Sequence, residues 1–126
     1  MNIAVKPPVA GSVIELLGLK PQKRSFMYVL AEAEASNALH EALTVFTDTE
    51  MLEGRDATEA ETAAFERVEA MAENAYQRLL RLPVLDMDEL HRKAKFLKRV
   101  SRGHDLQEAL DAIEQNIRDL SSRDAA

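Results

Sequence analysis

The chain has 126 residues, no cysteine and a net charge of −6, which fits one domain and excludes disulfides, thiolate metal sites and a cysteine nucleophile. Hydrophobic residues make up 46% and charged residues 30%, a globular rather than a disordered balance, and the negative charge opposes indiscriminate contact with a polyanion. Aromatics are only 5% and tryptophan is absent, so the core must come from Leu, Ala, Val and Met, which suits packed helices and suits a β-sandwich poorly.

Residues 1–24 read as an N-terminal arm. Pro7 and Pro8 favour extended backbone, Gly11 and Gly18 punctuate, and Pro21 disfavours a continuing helix. Between them Val13, Ile14, Leu16 and Leu17 offer a short apolar patch that docks on the body of the molecule or on a neighbour. No apolar run approaches the ~20 residues that span a bilayer. Met1 to Leu19 also lacks the basic start and clean apolar centre of a signal peptide, so a cytoplasmic location is expected.

The helical domain is expected over residues 25–122. A first helix begins at Ser25, a good N-cap, with Phe26, Val29, Leu30, Ala33, Asn37, His40, Leu43 and Phe46 at helical spacing. Tyr28, Ala35, Leu39 and Ala42 widen that face, and Gly54 marks the latest end. A second, long helix starts at Asp56, or at Thr58 if Thr58 and Glu61 form a capping box, and stops at Pro83. Its stripe of Phe65, Val68, Ala72, Ala75, Leu79 and Leu82 alternates steps of three and four, the heptad spacing that demands a partner helix. A third helix, capped by Asp86 or Asp88, carries Met87, Leu90, Ala94 and Leu97 and fades near Gly103. A fourth is expected from an Asp105 cap, with Leu106, Leu110, Ile113, Ile117 and Leu120 facing inward and a frayed tail from Ser121.

Short connections make neighbours antiparallel, so the fold class is all-α: a four-helix bundle of two antiparallel helical hairpins. The third and fourth helices are expected to be shorter than the first two, which leaves part of the long stripe uncovered, and a homodimer would cover it. The candidate interface residues are Phe65, Val68, Ala72 and Leu79, with Asn37 and His40 as polar groups that set register on an apolar face.

Arg92, Lys93, Lys95, Lys98, Arg99 and Arg102 fall between His91 and His104 with no acid among them. Arg92, Lys95, Arg99 and Arg102 lie on one helical line, the pattern of a nucleic-acid phosphate contact. The favoured reading is a counter-charge for the acidic stretch from Asp48 to Glu73, in which only Arg55 and Arg67 are basic. Asp88 and His91 make half of a bundle metal motif with no second half. Glu66, Glu69 and Glu73, with Glu108 and Asp111, could hold a metal as in all-α nucleotide pyrophosphohydrolases, but their order does not reproduce that family's motif. No phosphate loop or nucleophile–base pattern is present.

The segment Leu82-Pro83-Val84-Leu85-Asp86-Met87-Asp88-Glu89-Leu90-His91-Arg92-Lys93-Ala94 resembles one in small all-helical proteins of alphaproteobacteria, where a proline and a short polar linker lead into a helix with a Leu, a basic pair and an Ala. The resemblance implies a helical fold and transfers no activity and no site residue. The functional expectation is a non-catalytic, homodimeric protein–protein interaction or regulatory accessory protein without cofactor or metal. The alternatives are a nucleic-acid-binding regulator and, last, a metal-dependent all-α hydrolase.

Overall fold

The described residues are 25–48 and 52–125 of a computed structural model; the expected arm, 1–24, lies outside them. Among them the chain forms α1 (Phe26–Phe46), α2 (Glu59–Arg81), α3 (Met87–Val100) and α4 (His104–Ala125), and no strand. The all-α expectation holds.

Local chemistry sets most of the boundaries. The Ser25 side chain accepts from the Tyr28 amide at 3.4 Å and caps α1. The first helix ends at Phe46, well before Gly54, where the Thr44 and Thr47 hydroxyls turn back onto the His40 and Thr44 carbonyls. Thr58, not Asp56, caps α2: its hydroxyl accepts from the Glu61 amide at 3.1 Å while Glu61 accepts from the Thr58 amide at 2.9 Å. Glu61 also takes two hydrogen bonds from Arg55, and these, with the Thr58 contacts, hold its carboxyl down at about 2.

Asp86 caps α3 through the Glu89 amide at 2.8 Å, and Glu89 reaches back to the Leu85 amide at 2.9 Å. The fourth helix starts at His104, so Asp105 sits inside its first turn rather than capping it. Ahead of it Gly103 takes φ +58, a left-handed turn that costs glycine nothing. The predicted frayed tail is also corrected: α4 is helical to Ala125. Arg123 donates to the Val84 carbonyl at 2.6 Å and fastens that last stretch to the α2–α3 connection. The expected shortness holds for α3, with 14 residues, but not for α4, which at 22 matches α1 and α2 in length because its helix runs on through the tail.

The pairing is α1 with α2 and α3 with α4, with lesser α1–α3 and α2–α4 contact. The core gathers at one end, from Phe26, Val29, Leu30 and Ala33 of α1, Ala75, Leu79 and Leu80 of α2, Val84, Leu90, Phe96 and Leu97 of α3, and Ala109 and Leu120 of α4. At ~1.5 Å per residue α2 is roughly 34 Å long and α3 roughly 21 Å, so the far end of the first hairpin is thinly covered. Phe46, expected on the buried stripe, is 61% exposed there.

Candidate functional site

The proposed interface residues separate along α2. Leu79 is fully buried in the chain's own core and offers no contact surface. Phe65, Val68 and Ala72, a turn or more toward the open end, are half-buried. Asn37, His40 and Ala72 come together, lining a groove of about 580 Å³ between α1 and α2 with Glu66, Glu69, Glu73 and Tyr76. The His40 ring lies 5.4 Å from the Phe65 ring, and its Nε2 has no hydrogen-bond partner, with the Glu69 carboxylate 3.8 Å away. Asn37 bonds within its own helix, to Glu41 at 3.0 Å. Asn37 therefore stays within α1, while His40 alone of the pair reaches α2, through Phe65 and Glu69.

The largest departure from the sequence pattern is the rotation of α4. Ala109, Asn116 and Leu120 are buried, and Ala112 and Ile113 pack against the core. Leu106, Leu110 and Ile117, expected inside, are 44%, 53% and 48% exposed. Alanines on the inner face admit close helix approach, and the bulkier residues are turned out. The result is an apolar row along one side of a 22-residue helix, unpaired among the described residues.

The basic run divides in two. Lys93 points inward: it is fully buried, and its Nζ donates to the Leu80 carbonyl at 2.9 Å and the Leu82 carbonyl at 2.6 Å. Burial lowers its pKa to about 8. His91, Arg92, Lys95, Lys98, Arg99 and Arg102 instead line a groove of about 860 Å³ between α1 and α3, over Leu30 and Phe96. The Arg99 guanidinium sits 5.5 Å from the Phe96 ring centre.

The counter-charge expectation fails within one chain. Among the described residues no ion pair joins this basic row to the acidic stretch of α2. The reason is topological: α2 packs chiefly on α1 and α3 chiefly on α4, so the opposite charges do not meet.

The metal readings find little geometry. Asp88 pairs with Arg92 at 2.9 Å, and His91 stands among cations. Glu108 and Asp111 part company: Asp111 accepts from Gln107 at 2.9 Å, while Glu108 lies beside His104 and Asp105, with ligand atoms within 4.8 Å of one another. That trio sits on the first turn of α4, where i,i+4 pairing of His104 with Glu108 at 3.7 Å accounts for it. Two contacts had no place in the sequence reading. The Tyr76 hydroxyl meets Ser101 Oγ at 2.8 Å, and Arg78 pairs with the buried Glu32.

No protein-family model matches the chain, nor does any curated protein or solved structure. No helix among the described residues is long and apolar enough to cross a membrane.

Proposed function

We propose that this chain is a non-catalytic interaction protein that pairs with a second copy of itself through the outward row of α4. The observation that carries the reading is the line of Leu106, Leu110 and Ile117 left exposed beside half-buried Ile113. Scattered surface leucines need no explanation, but an aligned row on one helix does.

Register favours a second copy as the occupant. The steps of four, three and four from Leu106 to Ile117 place these residues at alternating d and a positions of a heptad. Turned antiparallel about a two-fold axis midway between Asp111 and Ala112, the row is complementary to itself. Leu106 then faces Ile117 of the second copy, and Leu110 faces Ile113 of the second copy. Such an isologous contact closes at two subunits. Arg118 pairs with Glu114 beside the row, so one acid at its edge is already compensated.

Sedimentation equilibrium at about 100 μM tests this. A mass twice the 14.1 kDa of the chain is expected, and Leu110→Glu is expected to return it to a monomer with an unchanged helical spectrum. A monomeric wild type, or a dimer untouched by Leu110→Glu, overturns the reading.

A further inference from the structure

The geometry points to a second binding site: the groove between α1 and α3 takes the phosphodiester backbone of nucleic acid without reading its sequence. This site is separate from the α4 row and stands whether or not the chain pairs.

Arg92, Lys95, Arg99 and Arg102 all line this one groove, and all are exposed. Arg92, Lys95 and Arg99 follow one another at steps of three and four residues, about 10 Å along α3 at ~1.5 Å per residue, and Arg102 follows just past the extended Ser101 that ends the helix. One strand of a duplex carries a phosphate about every 3.4 Å of axis, so about three phosphates fit beside the three helical cations, with a fourth for Arg102. Three of the four are arginines, whose planar fork suits phosphate oxygens.

The row is also mostly uncompensated. Among the described residues only Arg92 of the row has an acid partner, Asp88 at 2.9 Å. Arg102 donates to the adjacent Ser101 carbonyl at 2.9 Å. Lys95, Lys98 and Arg99 have no ion pair among the described residues. Like charges held together on one helix repel, and on a chain of net charge −6 this concentration orients an approaching polyanion toward a single face.

Two features define how the ligand is held. Protein interfaces depend on exposed aromatic or aliphatic anchors, and this groove offers none: Leu30 is 5% and Phe96 4% exposed. That favours a ligand recognised by charge alone over an acidic protein segment. The same burial denies bases a stacking platform, while Glu34 and Asp88, both exposed on the walls, disfavour an anion beside them. The phosphates therefore meet the cation tips, and base edges go unread.

The test is fluorescence anisotropy of the full chain with labelled duplex DNA, duplex RNA and single-stranded DNA, from about 20 to 200 mM salt. For four phosphate contacts, log Kobs against log salt falls with a slope of about −3.6 on duplex DNA and about −2.8 on a single strand. Two unrelated duplex sequences are expected to bind within about twofold. Lys95→Gln, at a position with no ion-pair partner to lose among the described residues, should make the slope shallower by about 1. Arg92→Gln, Lys95→Gln and Arg99→Gln combined should abolish binding while leaving the helical spectrum intact. No anisotropy change with any of the three at about 20 mM salt overturns the proposal. So does binding that the triple variant retains, or equal competition by a poly-glutamate peptide of matched charge, which would make the ligand an acidic protein segment.

Discussion

The Lys93 ammonium donates to the Leu80 carbonyl at 2.9 Å from a side chain with no solvent exposure. The last carbonyls of any helix lack intrahelical donors, and Pro83 prevents α2 from running on to supply them. Lys93 fills that role from the neighbouring helix, reaching Leu82 as well, and its charge complements the negative end of α2. Burial sets the opposing term and lowers its pKa from 10.5 to about 8.

The pH dependence follows from that difference. Below pH 8 Lys93 is protonated in both folded and unfolded chains. Between about 8 and 10.5 the unfolded chain keeps the proton and the folded one has released it, so stability rises with pH through this window. Wild type should gain on the order of 2–3 kcal/mol relative to Lys93→Met between pH 7.5 and 10, read from urea midpoints. Near pH 7 Lys93→Met itself leaves the buried Leu80 carbonyl and the part-buried Leu82 carbonyl without this donor, a loss of about 1–3 kcal/mol, set against release of the desolvation penalty. A wild-type-minus-variant difference that is flat with pH would show that Lys93 does not titrate in a buried site.

Glu32 and Arg78 make a contact of the opposite kind. Glu32 is 1% exposed with Oε2 unpartnered, while Arg78 reaches Oε1 from a half-exposed position on α2. Removing Arg78 strands a buried carboxylate, so Arg78→Ala should cost about 2–4 kcal/mol in urea denaturation. Adding Glu32→Gln should recover most of it, because a neutral amide is far cheaper to bury. Additive losses in the double variant would mean that the two side chains do not depend on each other.

What was legible in the sequence was periodicity and capping. Ser25, the Thr58–Glu61 box and Asp86 each have one local geometry that satisfies free amides, so short spacings suffice to find them. The rotation of α4 was not legible, because the pattern weights large aliphatics whereas approach distance favours small ones. Ala109 went inside and Leu110 outside. In α3 the buried face is Leu90, Lys93, Phe96 and Leu97, with Met87 68% exposed. Lys93 is three residues from both Leu90 and Phe96, and Glu32 three from Val29, so each sits on an apolar stripe. A charge on such a stripe was the available signal, masked in Lys93 by the basic run around it. The grooves needed tertiary structure, since they depend on α1 lying beside both α2 and α3.

The same stripe on α2 should respond unequally along its length. Leu79 is wholly buried, and Leu79→Ala should cost about 3–4 kcal/mol through lost transfer energy and the cavity left behind. Val68, half-buried toward the open end, should lose about 1 kcal/mol or less on substitution by alanine. Thermal melts of the two variants at matched concentration decide it. Equal losses would mean that the open end of the first hairpin is packed as tightly as the core.

The orientation of the α4 pair can be read with engineered thiols, since the chain has no cysteine of its own. In an antiparallel pair Leu110 faces Ile113 of the second copy, whereas in a parallel one it faces Leu110 of the second copy. Under mild oxidation, chains bearing Leu110→Cys alone should therefore stay uncrosslinked, as should chains bearing Ile113→Cys alone. An equimolar mixture should give a crosslinked dimer on a non-reducing gel, because only there do the two sulfurs reach disulfide distance across the interface. Rapid crosslinking of Leu110→Cys by itself would establish the parallel arrangement and remove the self-complementary register on which the pairing rests.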